Sequence, residues 1–187
     1  MKKIRSKILL FRIFSVLIFL CSCTVVEQDE SRGIFKIGWS SIDITPEGPA
    51  LIRNRWDSEG VADPILATAL AMELGRGNSS EKAIIISCDL GNIPDGRRSS
   101  DNLLDRVREI LTELLPELLP EQVLLNATHT HTAPRVSELT IKDYLGVDLD
   151  VIEPEEYMDF LSGRIARAAE EAWHNRKAGG ISYGLGH

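Results

Sequence analysis

Two uninterrupted apolar runs on either side of one amphipathic segment constrain this chain more than any other feature. Lys82-Ala83-Ile84-Ile85-Ile86-Ser87-Cys88-Asp89 and Val123-Leu124-Leu125-Asn126-Ala127-Thr128-His129 each read as a strand covered on both faces, because a continuous apolar run leaves no face for water. Between them Leu103 to Leu115 places Leu103, Leu104, Val107, Ile110, Leu111, Leu114 and Leu115 on one helical stripe, and Pro116 and Pro120 end it. Strand, helix, strand at this spacing predicts a crossover between parallel strands. Phe35 to Ile44 alternates like a strand and stops at Thr45-Pro46; Pro64 to Leu74 suits either strand or helix; Gly75 to Ser80 carries turn chemistry. Pro154 to Trp173 is a second amphipathic helix, opened by Pro154-Glu155-Glu156 and closed before Gly179-Gly180. Ile181 to His187 begins a further sheet segment. The expectation is an α/β fold, a mixed sheet flanked by helices, with residues 35–187 the incomplete N-terminal part of a larger domain.

The first residues read as an address. Lys2, Lys3, Arg5 and Lys7 precede an apolar run from Ile8 to Leu20, short and basic-flanked as in a bacterial export signal. Leu20-Cys21-Ser22-Cys23 looks like a lipoprotein box, with Cys23 the residue to be acylated. Cleavage there makes 1–22 the signal peptide and leaves 165 residues carrying −12. Polar residues 23–34 form a tether, and the body sits lipid-anchored in the bacterial cell envelope, outside the cytoplasm. Acidic balance argues against a nucleic-acid partner, whose phosphates need cations. Cys88, the one cysteine left in the body, reads as a small buried hydrophobe.

Chemistry concentrates in Asn126-Ala127-Thr128-His129-Thr130-His131-Thr132-Ala133-Pro134. In an extended backbone residues two apart face one side, so His129 and His131 aim two imidazoles at one spot where an apolar strand leaves the core. Open α/β sheets bind ligands beyond strand ends, and neutral imidazole is a common zinc ligand. The threonine hydroxyls are candidates for fixing the rings. A metallo-β-lactamase-like site would continue with Asp and His, whereas this chain continues with Thr132-Ala133-Pro134. Asp89, at the same sheet edge, either supports a His or a metal from behind or caps its own loop. Arg135 is placed to hold an anionic or carbonyl group of a substrate. Asp43 and His174 read as structural.

Four segments together resemble the N-terminal catalytic domain of the neutral/alkaline, non-lysosomal ceramidases: Gly38–Pro46, Asp63–Leu70, Ile86–Gly91 and Ala127–Pro134. The resemblance implies a zinc-dependent amidase that splits ceramide into fatty acid and sphingosine. It implies His129 as a zinc ligand and His131 as a catalytic group that contacts substrate or stabilises the reacting centre. A further His, a Glu and a Tyr complete the family's zinc shell downstream, in the part of the domain that this chain lacks as a partner. Ceramidases proper carry Ser-Gly-Pro-Gly-Gly after the His pair; Thr132-Ala133-Pro134-Arg135-Val136 stands here, which removes glycines and adds a charge. The alternatives are a hydrolase of another lipid or small amide or ester, and a non-catalytic, lipid-anchored binding module on the same scaffold.

Overall fold

The computed structural model describes residues 33–52, 57–96, 102–136, 146 and 148–186. The signal, Cys23, most of the tether, Arg53, Arg55, Trp56 and His187 lie outside them.

Five strands form one mixed sheet. β1 (Ile34–Asp43), β2 (Leu66–Arg76) and β3 (Ser79–Cys88) run antiparallel in succession. The segment from Pro64, suited to strand or helix by composition, is thus a strand. Its Ala67, Ala69 and Ala71 are all buried on one face, and this period-two burial is what a strand provides. Gly77, with φ 55°, takes the left-handed position in the β2–β3 hairpin turn. After β3 comes helix α1 (Leu103–Leu114), then β4 (Val123–Ala127), which pairs parallel with β3. The crossover expected from the sequence is therefore present. Helix α2 (Pro154–His174) follows, then the two-residue β5 (Lys177–Ala178), antiparallel to β1. The strand order is β4-β3-β2-β1-β5.

Each helix has a readable start. The Asn102 side chain accepts a hydrogen bond from the Asp105 N–H at 3.1 Å and caps α1, a contact that contributes about 1 kcal/mol. Pro154 opens α2, with Glu155 and Glu156 in its first turn against the positive end of the helix dipole. On α1, Leu103, Val107 and Leu111 are buried; on α2, Tyr157, Met158, Leu161, Ile165, Ala169 and Ala172 are. These meet Ala69, Ala71, Ile84, Ile86 and Cys88 of the sheet in one core. Each large side chain there contributes about 1.5–3 kcal/mol by leaving water.

Small residues let α2 come close. A Cβ at Gly38 would stand 2.3 Å from the Ala172 carbonyl oxygen, so only glycine fits under the helix at that point. The helix is also tied at both ends. Tyr157 donates its hydroxyl to the Ile44 carbonyl at 2.9 Å, and the Ser40 hydroxyl donates to Glu171 at 2.8 Å. Beyond it Arg176 lies over the Trp173 ring and pairs with Glu73 at 3.3 Å.

Three expectations are corrected. β3 and β4 are covered on one face only. Register places Trp39, Leu70, Ile85 and Leu124 in a single row across the other face. Trp39 is 67%, Leu124 52% and Ile85 41% exposed. A continuous apolar run here signals an apolar face that no described residue covers. Secondly, β4 stops at Ala127 and does not reach His129. Thirdly, residues 181–186 take no regular structure, and Ile181, Tyr183 and Leu185 are exposed; the strand at that end is Lys177–Ala178 instead. No helix among the described residues is long and apolar enough to cross a membrane.

Candidate functional site

Because β1, β3 and β4 point the same way, their C-terminal ends share one sheet edge with the start of β2. Three loops leave that edge: the long one after β1, the turn after β3 and the His-bearing segment after β4. Non-local bonds join them. Ile52 and Pro134 form an isolated bridge, and the Arg135 N–H donates to the Leu51 carbonyl at 2.7 Å. The Thr128 N–H donates to the Cys88 carbonyl at 2.9 Å. A cleft of about 770 Å³ results, lined by apolar Pro46, Ala50, Ile52 and Pro134 and by polar Asp89 and His131.

His129 and His131 do come together, with ring centroids 5.1 Å apart and planes at 70°. Strand alternation is not the cause, since both residues lie past the end of β4. His129 has φ 65°, the left-handed region that few residues other than glycine enter. That turn, rather than a two-residue repeat, carries the second ring back beside the first. Both side chains are exposed, and His131 faces the cleft.

The His129 Nδ1 lies 2.6 Å from the Gly91 carbonyl oxygen. A carbonyl only accepts, so Nδ1 is the donor here, and in the neutral ring Nε2 is left with the lone pair. This is the arrangement in which a metal-ligating imidazole is oriented by its other nitrogen. The donor chemistry therefore fits a zinc ion at Nε2 of His129, with His131 beside it. Catalytic zinc ordinarily takes three protein ligands. Among the described residues no group of three or more His, Cys, Asp or Glu is gathered for a metal.

The Thr130 and Thr132 hydroxyls bond each other at 2.9 Å, and the Gly91 carbonyl holds the His129 ring. Asp89 reaches back to the Leu66 N–H at 3.0 Å, so the carboxylate fastens the sheet edge and bonds neither imidazole. Arg135 is half-buried, and the cleft wall runs to Pro134 without including it. Asp43 accepts the Thr45 N–H at 2.8 Å; hydrogen bonds from Thr45 hold its carboxyl below the usual carboxylate range. It shapes the loop entry. His174 ends α2, exposed. Cys88 is buried, and burial, with the Asp89 charge second, pushes its thiol up to about 12, which keeps it unreactive.

Sequence reasoning missed the wall built from residues 45–52 and 58–65 and the role of the Gly91 carbonyl. Both depend on contacts between residues far apart in the chain. The Gly after Asp89-Leu90 was the one local signal, a turn residue directly behind the sheet edge.

The fold is shared with solved structures. A crystal structure of neutral ceramidase from Pseudomonas aeruginosa matches with TM-score 0.60 and 23% identity, over 78% of this chain and 22% of that one. This is a ceramidase-like fold. A structure described as ceramidase complexed with C2 matches with TM-score 0.61 and 22% identity, again over 78% and 22% of the two chains. This chain thus spans about a fifth of the length of the ceramidase chains it matches. No protein-family model and no curated protein matches it.

Proposed function

We infer that this chain supplies part of the active site of a zinc-dependent amide hydrolase resembling neutral ceramidase, acting on the N-acyl bond of a lipid amide. The observation that carries the reading is the His129–His131 pair, with the His129 ring oriented by the Gly91 carbonyl, at the mouth of a cleft in a ceramidase-like fold. An apolar wall ending at an imidazole suits a substrate with a hydrocarbon chain and a polar, cleavable linkage.

In this reading His129 presents Nε2 to zinc, which when bound supplies Lewis-acid polarisation of the amide carbonyl and an activated water. His131, facing the cleft, contacts the reacting amide and carries a proton to the leaving nitrogen. Thr130 and Thr132 line the cleft with it and orient polar groups of the substrate. Arg135, one residue past the wall, adds positive charge near a carbonyl or carboxylate end. Cys23 carries the lipid that holds the protein at the bacterial cell envelope, close to a membrane-borne substrate.

Zinc analysis combined with hydrolysis of a fluorescent N-acyl amphiphile, on a protein that joins this chain to the rest of the zinc shell, tests the reading. His129→Asn is expected to abolish zinc-dependent turnover, and His131→Ala to lower kcat by roughly 10²–10⁴-fold. Zinc retained unchanged in His129→Asn would overturn it. A folded protein in which neither zinc nor hydrolysis is found would favour the non-catalytic surface module.

A further inference from the structure

We propose that Asp89 is a positioning residue for His129, acting through the Gly91 carbonyl; the proposal deepens the zinc reading above and rests on it for the purpose of the device. β3 ends at Cys88, and the next three residues turn the chain along the sheet edge. Asp89 grips Leu66 twice. Its N–H donates to the Leu66 carbonyl at 2.9 Å, and its carboxylate accepts the Leu66 N–H at 3.0 Å. Leu90 is fully buried, and its N–H donates to the Cys88 carbonyl at 2.8 Å. The same carbonyl accepts the Thr128 N–H, so the turn and the His-bearing segment hang from one atom.

Gly91 follows directly, and its carbonyl meets the His129 ring. A turn clamped at Asp89 and plugged at Leu90 leaves that carbonyl little freedom. The ring nitrogen facing it must hold the proton, against the ordinary preference of a free imidazole for Nε2–H. The carboxylate therefore sets which nitrogen of a ring it never touches is free to bind a metal.

The test reads the ring state in the ¹⁵N-labelled, metal-free full chain by long-range ¹H–¹⁵N correlation at about pH 8.5, where imidazole is neutral. Wild type is expected to show His129 as Nδ1–H. Asp89→Asn keeps an oxygen acceptor for Leu66 and should keep that form; Asp89→Ala should shift His129 toward Nε2–H. Titration with Zn²⁺ alone should show roughly tenfold weaker binding in Asp89→Ala and little change in Asp89→Asn. If the alanine variant does not fold, Asp89→Glu replaces it, since the charge remains while the acceptor moves by one methylene. Partial loss of Nδ1–H in that variant supports the proposal, and full retention overturns it. Nε2–H in wild type, an unchanged ring in Asp89→Ala, or Asp89→Asn as impaired as Asp89→Ala would each overturn it too. Since the ring state is read without metal or substrate, a failure here is distinct from a failure of the hydrolase reading.

Discussion

The helix-covered face of the sheet and the loop edge at its end are held together by different means. Under α1 and α2, side chains close the structure: alanines and a glycine let α2 approach, and leucine, isoleucine and tyrosine fill the space beside them. At the edge, backbone carbonyls do most of the holding, those of Cys88, Leu66, Leu51 and Gly91 each accepting a bond from another loop. Shape governs the first region and direction the second. Substitutions on the covered face should cost stability while leaving ring orientation alone, and substitutions at the edge should do the reverse.

The largest loss is expected from Leu161→Ala, which empties a fully buried position on α2. Chemical denaturation should show it less stable by about 2–5 kcal/mol, with His129 and His131 resonances unchanged in the folded fraction. Gly38→Ala comes next. The added methyl collides with backbone of α2, and about 1–3 kcal/mol should be lost. Tyr157→Phe sharpens the comparison because Tyr157 belongs to both regions. Its hydroxyl ties α2 to the Ile44 carbonyl, where the cleft loop begins. Losing about 1–2 kcal/mol is expected by denaturation, since a carbonyl is left unpaired.

Smaller still is the response to acid. Hydrogen bonds from Thr45 hold Asp43 below the usual carboxylate range, and the Glu117 N–H, followed by the Trp173 indole N–H, does the same for Glu117. A carboxyl depressed in the folded state stabilises it fully above the ordinary range, and that stability is lost as pH falls through the depressed value. Melting temperature should therefore be flat near neutrality and decline below about pH 4. Both groups are exposed, so the decline should be shallow. His131→Ala should have the smallest effect of all on stability, within about 0.5 kcal/mol, because the ring is exposed. A large destabilisation there would erase the distinction between the two regions.

Much of the fold was legible. Alternation at Phe35 to Ile44, turn residues at 75–80 and the apolar stripes of both helices gave elements within a residue or two of those observed. Burial of β3 and β4 was not legible, because Ile85 and Leu124 look like core residues in a string of letters. Only register reveals that they share a row with exposed Trp39. At the site, the imidazole pair was found through an incorrect premise. The strand stops at Ala127, and a left-handed His129 makes the convergence that alternation was expected to make. Asp89 was placed at the right edge, yet its bond to Leu66 depends on a residue 23 positions away, and local sequence does not encode such pairings.

Trp39 and Trp173 stand on opposite faces of this sheet, one 67% and the other 3% accessible. With Trp56 replaced by Phe, their indoles form an optical pair. A water-soluble quencher such as iodide reaches the first and is kept from the second. Emission that survives the quencher follows the integrity of the packed side, and the fraction removed follows whatever settles on the bare side. Occupancy of the apolar row and melting of the body can thus be read separately, from one sample, without a label.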